Sequence, residues 1–321
     1  MQYSSGRALI RISILVAVAL AVVLSVLAAY HPAGAGSGPA VFAGRIVWES
    51  DKSYFGGFSG LEVAQDGLTF MAIGDNAQIV SGRLLRKDGE LTGVSTGPIG
   101  ALKGTDGVEL FRSEEEDLND SEGLALLPDG SFYVSFERRA RVWRYRSETA
   151  PAEALPAHDD FQFEWTNASF EALAVDADGD LYTLPERWQT DDTPYPVYQL
   201  RGGSWSIAFE LPRQGKFRAT GADFGPDGAL YLLERRFLPP FGFRSRVRRI
   251  RFDASGVIED RVLLESSFRE HDNLEGIAVW RDASGDIRLT MISDDNYSFL
   301  QVTEIVEYRV PASLVDGGEG G

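Results

Sequence analysis

The chain has 321 residues, a net charge of −17 and no cysteine. The charge excludes a nucleic-acid surface, because phosphate backbones demand a basic face. The lack of cysteine excludes disulfides, thiol nucleophiles and thiolate metal sites. What the acidity leaves open is simple solubility or cation binding by clustered carboxylates.

Residues 1–35 read as an export segment. Arg7 and Arg11 form a short basic region, and Ile12 to Ala29 is apolar apart from Ser13 and Ser25. Ala33-Gly34-Ala35 then fits the small-residue rule for signal cleavage. The two arginines are not adjacent, so a twin-arginine route is not indicated. A stretch of about 18 apolar residues also suffices for a membrane span. Two alternatives follow: a cleaved signal peptide, or an inner-membrane anchor over residues 9–29. Either places the folded part outside the cytoplasm, in the periplasm or secreted. Residues 36–40 read as a linker, 41–311 as the folded domain and 312–321 as a flexible tail.

Val41 to Trp48 reads as a lone strand. Five copies of one hairpin follow it. The second is the clearest: D-S-E-G-L-A-L-L-P-D-G-S-F-Y-V-S-F-E-R at 120–138, two apolar runs around an Asp-Gly turn. Related stretches occupy 58–76, 169–187, 219–236 and 272–296. Aligned on the first strand, they share the positions Ser59, Glu122, Glu171, Thr220 and Glu275, spaced 63, 49, 49 and 55 residues apart. A β-only repeat of roughly 40–50 residues or slightly more points to propeller blades. Further strands are expected at Ile79–Arg86, Leu91–Ile99, Arg141–Arg146, Phe161–Trp165, Val197–Arg201, Ser204–Leu211, Ser245–Phe252 and Val257–Glu265. The last unit holds only Val302–Val310 beyond its hairpin, so Val41–Trp48 supplies its fourth strand. The two termini thereby close the ring and remove a naked sheet edge. By count this is an all-β propeller of five blades. A sixth, degenerate blade would have to hide in the 63-residue spacing. Two loop excursions stand out, acidic Gly104–Asn119 and aromatic, proline-rich Phe237–Arg244.

In each hairpin the start of the first strand and the end of the second share one end. First strands line a propeller's channel, so one mouth should gather Glu122, Glu171 and Glu275 as acid/base candidates, with Ser59 and Thr220 between them. The second-strand ends bring Asp75, Glu137, Glu186, Asp294 and Asp295 as candidate metal ligands. They also bring Arg138, Arg187, Arg235, Asn76 and Asn296 as candidate substrate-binding groups. Crowded carboxylates raise one another's pKa or recruit a hard cation such as Ca²⁺. Arginines can grip a phosphate or carboxylate. A structural reading competes: Glu and Arg of neighbouring blades form an ion-pair belt that fixes blade register. His271, four residues before Glu275, is a further candidate base. The D-A-D-G-D run at 176–180 lacks the twelfth-position Glu of a calcium loop and reads as a hairpin turn. No G-x-S-x-G elbow, H-E-x-x-H, P-loop or dinucleotide fingerprint occurs.

The motifs G-G-F-S-G-L-E at 56–62 with A-I-G-D-N at 72–76, the 120–138 hairpin, F-E-A-L-A-V-D-A-D-G-D-L-Y-T-L-P-E-R at 170–187 and N-L-E-G-I-A-V at 273–279 resemble the phytase-like, or "esterase-like activity of phytase", family. The resemblance spans roughly Val41 to Val310. It implies an exported bacterial β-propeller that hydrolyses phosphate or carboxylate esters, with inositol phosphate as the suggested substrate. It transfers no catalytic motif, so the site residues above rest on hairpin geometry. The fourth copy departs from the pattern, with Thr220 for Glu and Ala222-Asp223 after the glycine. The expected partner is a small anionic ester or other ligand, with the membrane reached only through the N-terminal segment, and the expected state is a monomer. Two alternatives remain: a non-catalytic propeller binding a ligand or protein, and a calcium-dependent lactonase-like enzyme.

Overall fold

The computed structural model describes residues 36–52, 54–112, 118–162, 170–190 and 192–315. The signal or anchor expectation for residues 1–35 lies outside the described residues, as does the tail from 316. No helix among the described residues is long and apolar enough to cross a membrane.

After β1 (Val41–Val47), the first blade comprises β2 (Phe58–Val63), β3 (Thr69–Gly74), β4 (Gln78–Lys87) and β5 (Glu90–Thr96), with a two-residue β6 (Gly100–Ala101) beside β4. The second holds β7 (Ser121–Leu126), β8 (Phe132–Phe136), β9 (Arg141–Tyr145) and β10 (Glu153–Ala154). The third holds β11 (Ala172–Val175), β12 (Leu181–Leu184), β13 (Tyr195–Arg201) and β14 (Ser204–Leu211). The fourth holds β15 (Arg218–Phe224), β16 (Leu230–Leu238), β17 (Gly242–Asp253) and β18 (Gly256–Glu265). The fifth holds β19 (Asn273–Arg281), β20 (Ile287–Asp294) and β21 (Glu304–Val310), and β1 completes it by pairing antiparallel with β21. The inner strands β2, β7, β11, β15 and β19 pack one on the next, and β19 packs on β2. The chain is therefore a five-bladed β-propeller, closed by its two terminal strands.

Each seam between neighbouring blades holds its own apolar cluster, because alternate residues of every strand face the next blade. Between the fifth and first blades, Trp48 stacks on Phe58 at 4.9 Å and meets Phe70 edge-on. Tyr231, Leu289 and Tyr308 fill the seam between the fourth and fifth. Each fully buried Leu or Phe of this kind contributes about 1.5–3 kcal/mol relative to exposure. The packed seams hold the inner strands rigidly around the axis.

Three expectations are corrected. No sixth blade forms in the 63-residue spacing among the described residues; that stretch holds β6 and a 3-10 turn at Leu110–Arg112. The fourth strand of the second blade is Glu153–Ala154, not Phe161–Trp165. Phe161 instead lies in a 3-10 turn, where its ring packs 4.2 Å from Phe170 and 5.4 Å from Tyr198. That aromatic contact outweighs its β propensity; residues 163–165 lie outside the described ones. Finally, Phe237–Arg244 is the end of an extended hairpin. Phe237 pairs with Phe243 and Leu238 with Gly242, so the prolines fall in the turn itself, around a cis Pro239–Pro240 bond. There the missing N–H donors break no ladder. The 176–180 run is a hairpin turn as expected, with Asp176 accepting from the Asp178 and Asp180 amides.

Candidate active site at the channel mouth

The repeated Glu-Gly step builds the site. In β2, β15 and β19 the register slips by one residue, leaving Ser59, Thr220 and Glu275 as the extra residue of a β-bulge. In β7 the slip spans Glu122-Gly123. A bulge re-aims its side chain and bends the strand. The glycine that follows lets the next inner strand approach. A Cβ at Gly123 would lie 2.7 Å from the Glu171 carbonyl oxygen, and one at Gly276 would lie 2.7 Å from the Leu61 nitrogen. The channel is thus pinched shut beneath the ring, leaving a void of only about 10 Å³. What remains above is a cup of about 320 Å³.

The cup is lined by Asp75, Asp120, Glu122, Glu137, Arg138, Glu171, Glu186, Arg187, Arg235, Glu275, Asp294 and Asn296. Most of the residues singled out from the sequence are therefore brought together. Asn76 and Asp295 are not among the lining residues. Asn76 donates to the Tyr297 hydroxyl at 2.7 Å, and Asp295 accepts from the Gly57 amide at 3.0 Å and from Thr303. Both fasten rim loops. Ser59 donates to the Ser121 carbonyl at 2.7 Å, and Thr220 turns to the Leu233 and Leu274 carbonyls. Their hydroxyls bond backbone between blades. His271 is buried between Phe42 and Tyr308, with its Nε2 2.7 Å from the Tyr308 hydroxyl, and does not line the cup. Asp120 is not among the sequence candidates because the copies are aligned on Glu122, two residues further on; the readable signal was that closeness to Glu122.

Eight carboxylates face three guanidiniums here, so five negative charges are uncompensated if all ionise. The arginines are all engaged. Arg235 is the hub: it bonds Glu275, donates to the Asn273 Oδ1 at 2.7 Å, and lies 3.5 Å from Glu186 and 3.9 Å from Glu171. Its pKa is raised, because those carboxylates outweigh the burial that opposes its charge. Arg187 donates to Glu186 at 3.1 Å and Arg138 lies 3.0 Å from Asp120. This belt serves the third, fourth and fifth blades best. On the other side, no hydrogen bond or ion pair reaches the Glu122 carboxylate among the described residues.

Titration follows that asymmetry. Burial, then the charges of Asp75, Glu171, Glu275 and Asp120, push the Glu122 carboxyl well above its ordinary value. Asp75 is raised likewise, by burial and then by Asp294 and Glu275. Burial, with Asp120 and Glu186, lifts Glu137 to about 7; burial and Glu275 lift Asp294 to about 8. Glu171 and Glu275 also rise through burial, although Arg235 opposes both. Two lining residues that are not glycine, Arg138 and Asn296, hold φ values of 56° and 48°. Such left-handed backbone is strained and concentrates at functional sites.

Two carboxylate triads have oxygens within 4.8 Å of one another: Asp75–Glu122–Glu275 and Asp120–Glu122–Glu137. They share Glu122. An all-oxygen, anionic donor set without His or Cys suits a hard cation such as Ca²⁺ or Mg²⁺.

The sequence matches the family described as phytase-like, "esterase-like activity of phytase", over residues 53–297. The chain belongs to this family. No curated protein matches the sequence. Among solved structures, an exo-β-1,3-galactanase from Clostridium thermocellum is similar at 13% identity and a TM-score of 0.53, over 83% of this chain and 62% of that one. An endo-arabinase from Bacteroides thetaiotaomicron shares 13% identity over 86% and 98% of the two chains, with a TM-score of 0.47. The PQQ-bound aldose sugar dehydrogenase of Streptomyces coelicolor shares 16% over 87% and 100%, with a TM-score of 0.44. At such identities the likeness is one of fold alone.

Proposed function

We propose that this phytase-like propeller is an exported hydrolase of phosphate or carboxylate esters, working in the acidic cup. The observation that carries the reading is Glu122: a carboxyl among other carboxyls, without a counter-ion of its own, whose hold on its proton is strengthened by burial and by the neighbouring charges. A purely structural belt has no use for such a group. It is suited to give a proton to a departing alkoxide. Glu137, within 4.8 Å of Glu122 and titrating at about 7, suits the complementary task. In the proposed step Glu137 takes a proton from water as the water oxygen bonds to phosphorus or the acyl carbon. The ester oxygen leaves with the proton of Glu122.

The surplus negative charge of the cup opposes an anionic ester. The donor chemistry of the cup therefore supports a bound Ca²⁺, with Asp75 and Glu275 as holders, which leaves Glu122 and Glu137 for proton transfer. Such an ion supplies charge neutralisation and polarisation of a phosphoryl or carbonyl oxygen. Because Arg138, Arg187 and Arg235 are committed to carboxylates, orientation of the substrate falls to Asn296 and to the ion rather than to a free guanidinium.

The test is hydrolysis of p-nitrophenyl phosphate, p-nitrophenyl acetate and inositol hexakisphosphate by protein spanning residues 36–321, with Ca²⁺ and with chelator. Glu122→Gln should lower turnover about 10²–10⁴-fold, the range for loss of a general acid, with an unchanged fold. Absence of turnover of all three esters by folded, calcium-loaded protein would sink the hydrolase reading. The arginine belt favours the second reading, a rigid ligand-binding propeller, in that event.

A further inference from the structure

Two turns, or prongs, that carry exposed apolar side chains continue directly from cup-lining residues. The first is the β16–β17 hairpin, which runs three residues past Arg235, about 10 Å at the strand rise. Strand alternation puts Phe237 on the same face as Arg235, and register sets Phe243 opposite it, with ring centroids 4.8 Å apart. The second is the turn after β20. It starts at cup-lining Asp294 and carries Phe299 and Leu300 at its tip. Phe237 is 57% exposed, Phe299 95% and Leu300 71%. All three lie within four residues of the cup-lining Arg235 or Asn296.

Both prongs are braced from one segment, Ser266–Asn273, which joins β18 to β19. The Arg269 amide donates to the Phe243 carbonyl at 2.8 Å, its guanidinium bonds the Pro240 carbonyl, and Ser266 Oγ accepts the Ser245 amide at 2.9 Å. On the neighbouring fifth blade, Asp272 accepts from the Val302 amide at 2.8 Å and the Gln301 side chain at 3.0 Å. These bonds fix the backbone from which the exposed apolar side chains project, and a fixed backbone lowers the ordering cost of binding an apolar group.

We infer that the site takes an amphipathic ester: a charged or polar head in the acidic cup and an apolar chain lying between the Phe237 and Phe299–Leu300 prongs. This rests on the cup being the ligand site proposed above, and it names the class of ligand. The polarity gradient selects this occupant. The cup lining is almost wholly charged and admits only a polar head, whereas the prongs begin where that lining ends. A bilayer is the less favoured occupant, since a chain of net charge −17 is repelled by anionic lipid.

The experiment compares octyl phosphate with ethyl phosphate, below micellar concentration and with saturating Ca²⁺, by titration calorimetry. Wild-type protein should bind the octyl ester at least about tenfold more tightly, as expected when several methylenes are buried. Phe237→Ser and the pair Phe299→Ser/Leu300→Ser should each cut that preference to about threefold or less. Affinity for ethyl phosphate and the melting temperature should stay unchanged, since these side chains are exposed. Equal affinity of wild type for both esters, variants that keep the preference, or binding of neither ester would overturn the inference. Sedimentation with phosphatidylcholine vesicles lost in the same variants, without octyl preference, would overturn it in favour of a bilayer. Octyl preference without any turnover would leave this inference standing and remove the hydrolase. Turnover without chain preference would do the reverse.

Discussion

The two ends of the same hairpins treat the same side chain in opposite ways. At the turn end, Asp129 accepts from the Ser131 hydroxyl and amide, and Asp253 does the same with Ser255. Those hydrogen bonds favour the ionised form and lower both pKa values. At the mouth end, burial and neighbouring carboxylates raise Glu122, Asp75, Glu137 and Asp294. The first kind of carboxylate helps to close a tight turn at no electrostatic cost. Folding gains nothing from the second kind, which opposes it unless a proton or cation is supplied. Carboxylates retained at a cost to stability are what the proposed site at the mouth requires.

The comparison breaks most severely at Arg235. Replacing it with Gln strands Glu171, Glu186 and Glu275 without their shared counter-ion. Removing one partner of a buried ion pair costs about 3–5 kcal/mol. Arg235→Gln should lower the denaturant midpoint by that equivalent at pH 7.5, and the loss should be smaller at pH 5, because added protons relieve the repulsion left behind. An equal loss at both pH values would show that Arg235 acts by packing alone. Next in size is Gly276→Ala. The added methyl meets the Leu61 nitrogen at 2.7 Å and the Gly60 carbonyl carbon at 3.0 Å, both backbone. Pushing two inner strands apart should cost about 1–3 kcal/mol, the usual scale of overpacking. It should also open the floor of the cup. A neutral melting temperature would contradict the pinched channel.

These glycines show how much of the architecture was legible. Five Asp-Gly-type hairpins at near-regular spacing and a leftover strand at each terminus were enough to infer the ring and its closure. The cup's membership also followed, because period-2 alternation fixes which end of a hairpin a residue occupies. What alternation could not reveal was the bulge. A one-residue slip depends on pairing with the neighbouring strand, so Ser59 and Thr220 looked equivalent to Glu122 although their hydroxyls cap backbone carbonyls. Nor could pattern show that Arg235 would reach three carboxylates on two neighbouring blades while Arg187 turned to the adjacent Glu186. Phe161 misled because a β-forming aromatic between polar residues reads alike in an edge strand and in a plug. Asn76 and Asp295 misled because the end of a second strand can point into the cup or into the rim loop, and only tertiary contacts decide.

A third, intermediate effect is pH-dependent stability. Glu137 and Asp294 hold their protons to about 7 and about 8 in the folded chain, whereas unfolded carboxyls release theirs near 4. Between those values the native state binds more protons than the unfolded state, so stability falls as pH rises. Their contribution is complete below about pH 4 and is lost as pH climbs through 7 and 8. The melting temperature should therefore decline between pH 5 and pH 9. Glu137→Gln and Asp294→Asn, which keep the shape and remove the charge, should flatten the decline. Calcium should flatten it too, and should stabilise more at pH 8 than at pH 5, because it binds the ionised cup and competes with protons. A melting curve that rises over this range would refute the raised values.

The smallest effect belongs at the opposite end. Asp129→Ala removes the acceptor for the Ser131 amide and hydroxyl in an exposed turn. Water can replace it, so the melting temperature should change little. The direction with pH is the informative part. Asp129 has a lowered pKa, so its contribution is present above the unfolded value near 4 and is lost as pH falls through the folded one. Any destabilisation by Asp129→Ala should thus vanish in acid, whereas that of ring carboxylates vanishes when acid is added to the wild type itself. Opposite pH signatures from one residue type, at the two ends of one hairpin, would separate the fold's acidity from the site's. If Asp129→Ala instead matched Asp294→Asn in its pH profile, the mouth would be electrostatically ordinary, and the case for proton transfer at Glu122 would fall with it.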